Sequence, residues 1–159
     1  MTPDDIGICL PVTWRRRSAL THGVVVSARS AVLPASGVHP DLTLRCVPVD
    51  TDLESWRAEA VGELAERLVD FDVEDDDTFE LLGREVVYHR FAHRLGTADV
   101  LSDQWAWLAD GLGVTLTCSV AREDYPDYCD VFEAIAETVT IGPVSAATPG
   151  PGRRGAGRW

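Results

Sequence analysis

Apolar and polar residues alternate in short runs along most of the chain, which is the period of a half-buried β-strand. Pro11 ends the first run, because proline has no amide hydrogen to give to a neighbouring strand. An acidic stretch at residues 74–77 separates two later runs and is expected to be a solvated turn. The pattern predicts strands at residues 6–10, 24–28, 42–47, 69–73, 79–82, 86–93, 103–109 and 112–120.

Two glycine-containing pairs predict tight hairpins between these strands. Gly83-Arg84 has glycine first, and Asp110-Gly111 is the strongest short turn signal in the chain. If the second turn has two residues, Trp107 faces Val114 and Trp105 faces Leu116 across the hairpin. The hairpins therefore predict a predominantly antiparallel sheet.

A helical period appears twice. Thr51 and Glu54 form a capping-box pattern that starts a first helix. Its apolar stripe consists of Leu53, Trp56, Ala60, Val61, Leu64 and Leu68. A second helix begins near Tyr125-Pro126, where proline suits the first turn, and runs to about residue 139.

This order of elements defines the predicted fold and domain. The prediction is an α+β fold, an α/β/α sandwich whose antiparallel sheet of about six to seven strands is flanked by two main helices. A length of 159 residues fits one domain, which we place at residues 1–141. Residues 142–159 are rich in proline, glycine and arginine and predict a disordered tail.

Charge and composition exclude some functions. The formal charge of -12 argues against nucleic-acid binding and disfavours an anionic membrane surface. No run approaches the ~18 apolar residues of a membrane span, and the first residues are acidic where a signal peptide is basic. We therefore expect a cytoplasmic protein without a membrane partner. All 14 basic residues are arginine, which indicates a GC-rich and actinobacterial source.

No metal or cofactor site is expected. The acidic run from Asp70 fails the calcium-loop pattern at its sixth and twelfth positions. His89 and His93 are four residues apart on a predicted strand, about 13 Å, so one metal ion could not bridge them. The four cysteines contain no C-x-x-C pair and are expected to be buried and reduced.

Catalytic motifs do not appear in the sequence, and the prediction is that the protein is not an enzyme. The chain has no nucleophile elbow, phosphate-binding loop or dinucleotide fingerprint. Gly111-Leu112-Gly113 lacks a third glycine and leads into a strand. A triad assembled from distant residues stays open at this stage.

Alternation assigns the two faces of the sheet. Trp105 and Trp107 fall with Leu116 on the core face. The opposite face carries polar residues, including Arg29, Arg45, Gln104, Thr115 and Thr117. That face could be solvated, lie under a polar helix contact, or form a binding surface.

Several motifs in order resemble one fold group. They are Leu10-Pro11-Val12-Thr13-Trp14, the helix after the third strand, the Gly83 hairpin, the Gln104 strand, Leu116-Thr117-Cys118 and Phe132-Glu133-Ala134-Ile135. Over about residues 6–141 the chain resembles the Mog1/PsbP-like group, in the branch of DcrB-like and actinobacterial LpqN-like proteins. The resemblance implies an antiparallel sheet between helices and a function in binding, as in members that chaperone secreted effectors. From residues 1–9 we expect no lipoprotein signal, in which the chain would differ from LpqN-like proteins.

Two functional hypotheses follow. The first is a non-catalytic cytoplasmic protein-binding module, an adaptor or chaperone, with a secretion pathway as one setting and a secreted effector as one partner. It would bind through an exposed sheet face carrying Arg29, Arg45, Gln104, Thr115 and Thr117. The alternative is a small-anion-binding protein or enzyme with a site at Arg29 and Arg45, whose guanidinium groups could hold a carboxylate or phosphate. A homodimer is compatible with either.

Overall fold

A computed structural model of the chain describes residue 2 and residues 5–18 and 22–142. The strands are β1 (Ile6–Gly7), β2 (Trp14–Arg17), β3 (Val24–Ser30), β4 (Asp41–Pro48), β5 (Val69–Leu81), β6 (Arg84–Leu95), β7 (Ala98–Ala109), β8 (Leu112–Ala121) and β9 (Thr140–Ile141). Helix α1 (Leu53–Arg67) follows β4, and α2 (Tyr125–Ala136) follows β8 and a short 3-10 helix. Neither helix in the described part of the chain is long and apolar enough to cross a membrane.

Seven strands form one sheet in the order β2-β3-β4-β8-β7-β6-β5. Every neighbouring pair is antiparallel. The two short strands β1 and β9 pair separately. Helices α1 and α2 lie on opposite faces of the seven-stranded sheet, so the predicted α+β sandwich is confirmed.

The β7–β8 hairpin has the predicted register. Ala109 pairs with Leu112, Trp107 with Val114 and Trp105 with Leu116. Asp110 and Gly111 have φ values of 50° and 77°, and a two-residue type I′ hairpin turn requires positive φ at both positions. The local turn signal therefore determined both the pairing and the face of every side chain on these strands.

The acidic residues 74–77 belong to a strand, so the predicted turn at this place is wrong. They lie inside β5, which runs without a break past two register shifts against β6. β5 is an edge strand, so its carboxylates can stay in water while its backbone pairs on one side. The following turn is Leu82-Gly83 rather than Gly83-Arg84, with φ values of 56° and 81°.

Other boundaries also differ from the prediction. Asp52, rather than Thr51, caps α1 by accepting from the Ser55 amide at 2.7 Å. The first strand covers only Ile6–Gly7 of the predicted residues 6–10. The strands β2 and β9 were not predicted, and α2 ends at Ala136 rather than near residue 139. The predicted tail lies outside the described residues except for Gly142, whose N–H donates to the Asp5 carbonyl at 3.0 Å.

The hydrophobic core lies between the sheet and α2. Trp105 and Trp107 are 3% and 2% exposed, which confirms their predicted place in the core. Phe132 and Ile135 of α2 belong to the same cluster. Cys46 and Cys118 are buried free thiols, as expected. Cys9 is exposed and Cys129 is only half-buried, so the prediction of burial is wrong for these two.

Candidate functional site

The second face of the sheet lies under α1, and the contact between them is incomplete. Only Leu53 and Arg57 of α1 are buried. The remaining space is a cleft of about 680 Å³, which we call the α1 groove. Its lining comes from α1 and four strands: Thr43, Arg45, Val47, Trp56, Arg57, Ala60, Glu63, Leu64, Arg67, Leu68, Phe91, His93, Ser102, Gln104, Thr115, Thr117 and Ser119.

Four of the five predicted site residues line this groove, namely Arg45, Gln104, Thr115 and Thr117. Gln104 and Thr115 are only 8% and 9% exposed, so the prediction that this face is open to solvent is wrong for them. The reason is that α1 covers them. Alternation identified which residues share the face but could not show which element lies over it.

Arg29 shares the face but lies away from the groove. It is exposed on β3, opposite Asp41 of β4, whereas Arg45 is opposite Val24. The Arg45 guanidinium donates to the His22 carbonyl at 3.1 Å. Position 41, which lies opposite Arg29, is four residues from Arg45 along β4, and the two arginines face different residues. They therefore do not form the anion site of the alternative hypothesis.

The centre of the groove is Arg57, which sequence reasoning missed. It is 4% exposed, and its Nη2 donates to the Gln104 Oε1. Its Nε is buried and has no hydrogen-bond partner among the described residues. The guanidinium lies 4.7 Å from the centre of the Trp56 ring. Burial lowers the pKa of Arg57 to about 10, so the group stays protonated at neutral pH.

A signal for Arg57 exists in the sequence. It follows Leu53 by four residues and precedes Leu64 by seven, so it falls on the apolar stripe of the helix. An arginine on a stripe that faces a sheet is a candidate for a buried charge. The stripe was defined by its nonpolar residues alone, so the arginine on it was not included.

Of the two histidines on this face, His89 lies near Arg57. His89 pairs with Gln104 across β6 and β7, and His93 is four residues further along β6 on the same face. The Nδ1 atom of each ring is buried without a partner among the described residues. Burial lowers the pKa of both histidines, and the nearby Arg57 cation lowers that of His89 further. Both rings are therefore neutral at pH 7.

A second cleft, of about 820 Å³, lies on the β5 side of Arg57. Carboxylates dominate its lining, with Asp52, Glu54, Asp76, Asp77 and Glu85. None of the ion pairs formed by the described residues includes Arg57. Arg57 thus stands between an acidic cleft and the α1 groove without a carboxylate partner of its own.

A second group of polar residues, around Asp103, lies on the core face of the sheet and is hydrogen-bonded internally. Asp103 is 1% exposed and accepts hydrogen bonds from Tyr88 at 2.5 Å and from Tyr125 at 3.0 Å. Burial raises the pKa of Asp103, while the two hydroxyl donors oppose the rise. Because its carboxylate already accepts from both hydroxyl groups, this cluster fixes the start of α2 on the sheet. The cluster also lines a cleft of about 380 Å³.

No three His, Cys, Asp or Glu side chains in the described residues are grouped so that they could hold a metal ion. The residues around the groove are hydrogen-bond donors and acceptors on fixed strands. Gln104 is held in place because its Nε2 donates to Thr117 at 2.9 Å while its Oε1 accepts from Arg57. Such an arrangement is suited to binding a polar group.

Comparison with known proteins supports the fold. No family model matches the sequence, and no curated protein matches it. Among solved structures, LpqN of Mycobacterium tuberculosis, described as involved in cell envelope biogenesis, is similar with a TM-score of 0.68 and 18% identity, over 87% of this chain and 83% of that one. The cyanobacterial PsbP of Synechocystis has a TM-score of 0.64 and 13% identity, over 89% of each chain.

A protein of unknown function from Pseudomonas aeruginosa is also similar, with a TM-score of 0.63 and 11% identity, over 87% of this chain and 84% of that one. The chain therefore has the Mog1/PsbP-like fold, with LpqN as a structural neighbour, and the resemblance inferred from the sequence is confirmed. At these identities the likeness concerns the fold alone.

Proposed function

We propose that this protein is a non-catalytic cytoplasmic binding module, an adaptor or chaperone, that takes a segment of another protein into the α1 groove. The observation that carries the proposal is the groove itself, with the buried and incompletely bonded Arg57 at its centre. A groove of this kind leaves polar groups on fixed elements available to a ligand.

The dimensions of the groove suit an extended segment. Its helical wall runs from Trp56 to Leu68, about 18 Å at the rise of an α-helix. About five residues of extended chain cover that length. The sheet wall offers hydroxyl and amide groups, including Thr115, Thr117 and Gln104, that can bond to a peptide backbone.

Two further observations favour binding over catalysis. The described residues bring no metal-ligating cluster together, and the polar cluster around Asp103 is already satisfied internally. The descriptions of LpqN and the cyanobacterial PsbP name no reaction. A secreted effector remains one class of partner within this proposal.

Filling the groove tests the proposal. Ala60 lines the groove and is half-buried, whereas Ala65 is exposed on the same helix and does not line it. We expect Ala60→Trp to abolish capture of the partner from the native cell, because the indole occupies the space of the ligand. Ala65→Trp should capture the same partner as the unaltered protein.

Affinity capture with quantitative mass spectrometry measures the difference between the Ala60→Trp and Ala65→Trp variants. Unfolding midpoints of both variants show that each is folded. Equal recovery of the same partner by the two folded variants would contradict the proposal.

A further inference from the structure

We infer that the group recognised at the centre of the α1 groove is a carboxylate, which pairs with the guanidinium of Arg57. This inference rests on the proposed function, since it names the chemistry that the partner brings to the groove. The carboxylate is an aspartate or glutamate side chain, or a chain terminus, of the bound segment.

The buried Arg57 cation has no charged partner within the described part of the chain. Arg57 is 4% exposed, yet no ion pair among the described residues neutralises it. A buried charge is costly unless it is paired and hydrogen-bonded. Gln104 is a neutral partner, and Nε has no acceptor in the described chain. The described part of the protein therefore keeps an unneutralised charge at the groove, which a carboxylate of the ligand can neutralise.

The shape of the Arg57 guanidinium also fits a carboxylate. A guanidinium offers its donors in a planar fork that matches the two oxygens of a carboxylate. Gln104 restrains the Arg57 fork through Nη2, and Thr117 in turn fixes Gln104. The Trp56 ring lies on the guanidinium at 4.7 Å. The arginine is therefore held before the ligand arrives, which lowers the entropy cost of binding.

The charge of the site favours a carboxylate over a phosphate dianion. Arg57 supplies one positive charge, and burial lowers the pKa of His89 and His93 so that neither ring adds another at neutral pH. Asp76, Asp77 and Glu85 line the cleft on the other side of Arg57. One buried cation balances the charge of a monoanion, whereas a dianion would keep a second negative charge that these nearby acids repel.

A titration with small anions tests the inference on the unaltered protein. The probes are sodium acetate, sodium phosphate and sodium chloride at matched ionic strength and pH 7.5. The readout is the Nε–Hε resonance of Arg57 in ¹⁵N NMR spectra, assigned by its loss in Arg57→Lys and by sequential assignment. Acetate should shift this resonance saturably, with half-saturation at least about tenfold lower in concentration than phosphate. Chloride should leave it unchanged.

Two peptides then identify the source of the carboxylate. One is an N-acetylated glycine peptide with a free carboxyl terminus, and the other is a C-amidated glycine peptide with one central aspartate. Saturable binding of either supports the inference, and the tighter of the two names the source. The inference is overturned if acetate shifts the resonance no more than chloride does, or if phosphate saturates it first.

This result is independent of the groove-filling experiment. Loss of partner capture in Ala60→Trp together with no acetate response would keep the groove as the binding site and reject the carboxylate. Unchanged capture in Ala60→Trp would reject the proposed function itself, whatever acetate does.

Discussion

Replacement of Trp105 by alanine should lower the free energy of unfolding by ~3 kcal/mol or more, because removal of a large core side chain loses its burial and leaves a cavity. Trp105 is 3% exposed and its ring centre lies 5.4 Å from that of Tyr88. It also faces Leu116 across the hairpin. Urea unfolding followed by circular dichroism measures the loss.

A loss below about half a kcal/mol would contradict this prediction, because substitution of an exposed residue usually changes the free energy of unfolding by no more than that. The result would place Trp105 on the surface and undo the assignment of the two sheet faces. Trp56→Ala serves as the comparison, because Trp56 is only half-buried and should cost less.

Gly113→Ala should also destabilise the protein, by about 1–3 kcal/mol, through overpacking between β8 and α1. A Cβ atom at this position would lie 2.5 Å from two carbons of the Trp56 ring and 2.6 Å from a methyl carbon of Val49. The Trp56 ring and the Val49 side chain would have to shift to make room. Thermal and urea unfolding of the variant measure the cost.

Two controls make this result specific. Gly62→Ala, inside α1, meets nothing within 4 Å and should stabilise by about 0.4–1 kcal/mol. Adding Trp56→Leu to Gly113→Ala should recover part of the loss, as a double-mutant cycle measures. Equal stability of Gly113→Ala and the unaltered protein would show that α1 does not pack against β8 at this point.

Much of the sheet could be predicted because its signals are local. The Asp110-Gly111 turn fixed the pairing of Trp105 with Leu116, and alternation then identified the polar residues on the opposite face. The same reasoning failed for the acidic residues 74–77, where composition indicated a turn. An edge position allows carboxylates in a strand, and the place of a strand within a sheet is not a local property.

The α1 groove was harder to predict, because it also depends on contacts between elements that are far apart in the sequence. The sequence placed Arg45, Gln104, Thr115 and Thr117 on one face, and the structure brings these four into one groove. It could not show that α1 covers them, since a helix can pack on either face of a sheet. The burial of Arg57 was missed because it depends on the sheet that packs beneath the helix.

The strand β2 could not be predicted from its own residues. Trp14 is buried and the following residues Arg15, Arg16 and Arg17 are exposed, so the strand has no apolar alternation to detect. Its pairing with β3 comes from backbone hydrogen bonds at the edge of the sheet. A strand of this kind is determined by its neighbour rather than by its own sequence.

Photocrosslinking from three positions tests the central claim, that the α1 groove holds the partner, most directly. A benzophenone side chain would be placed at Leu64 in the groove, at Ala65 on the outer side of α1, and at Arg29 on the exposed part of the sheet. The account predicts a partner adduct from Leu64 and none from Ala65 or Arg29. An adduct from Arg29 or Ala65, with none from Leu64, would contradict it.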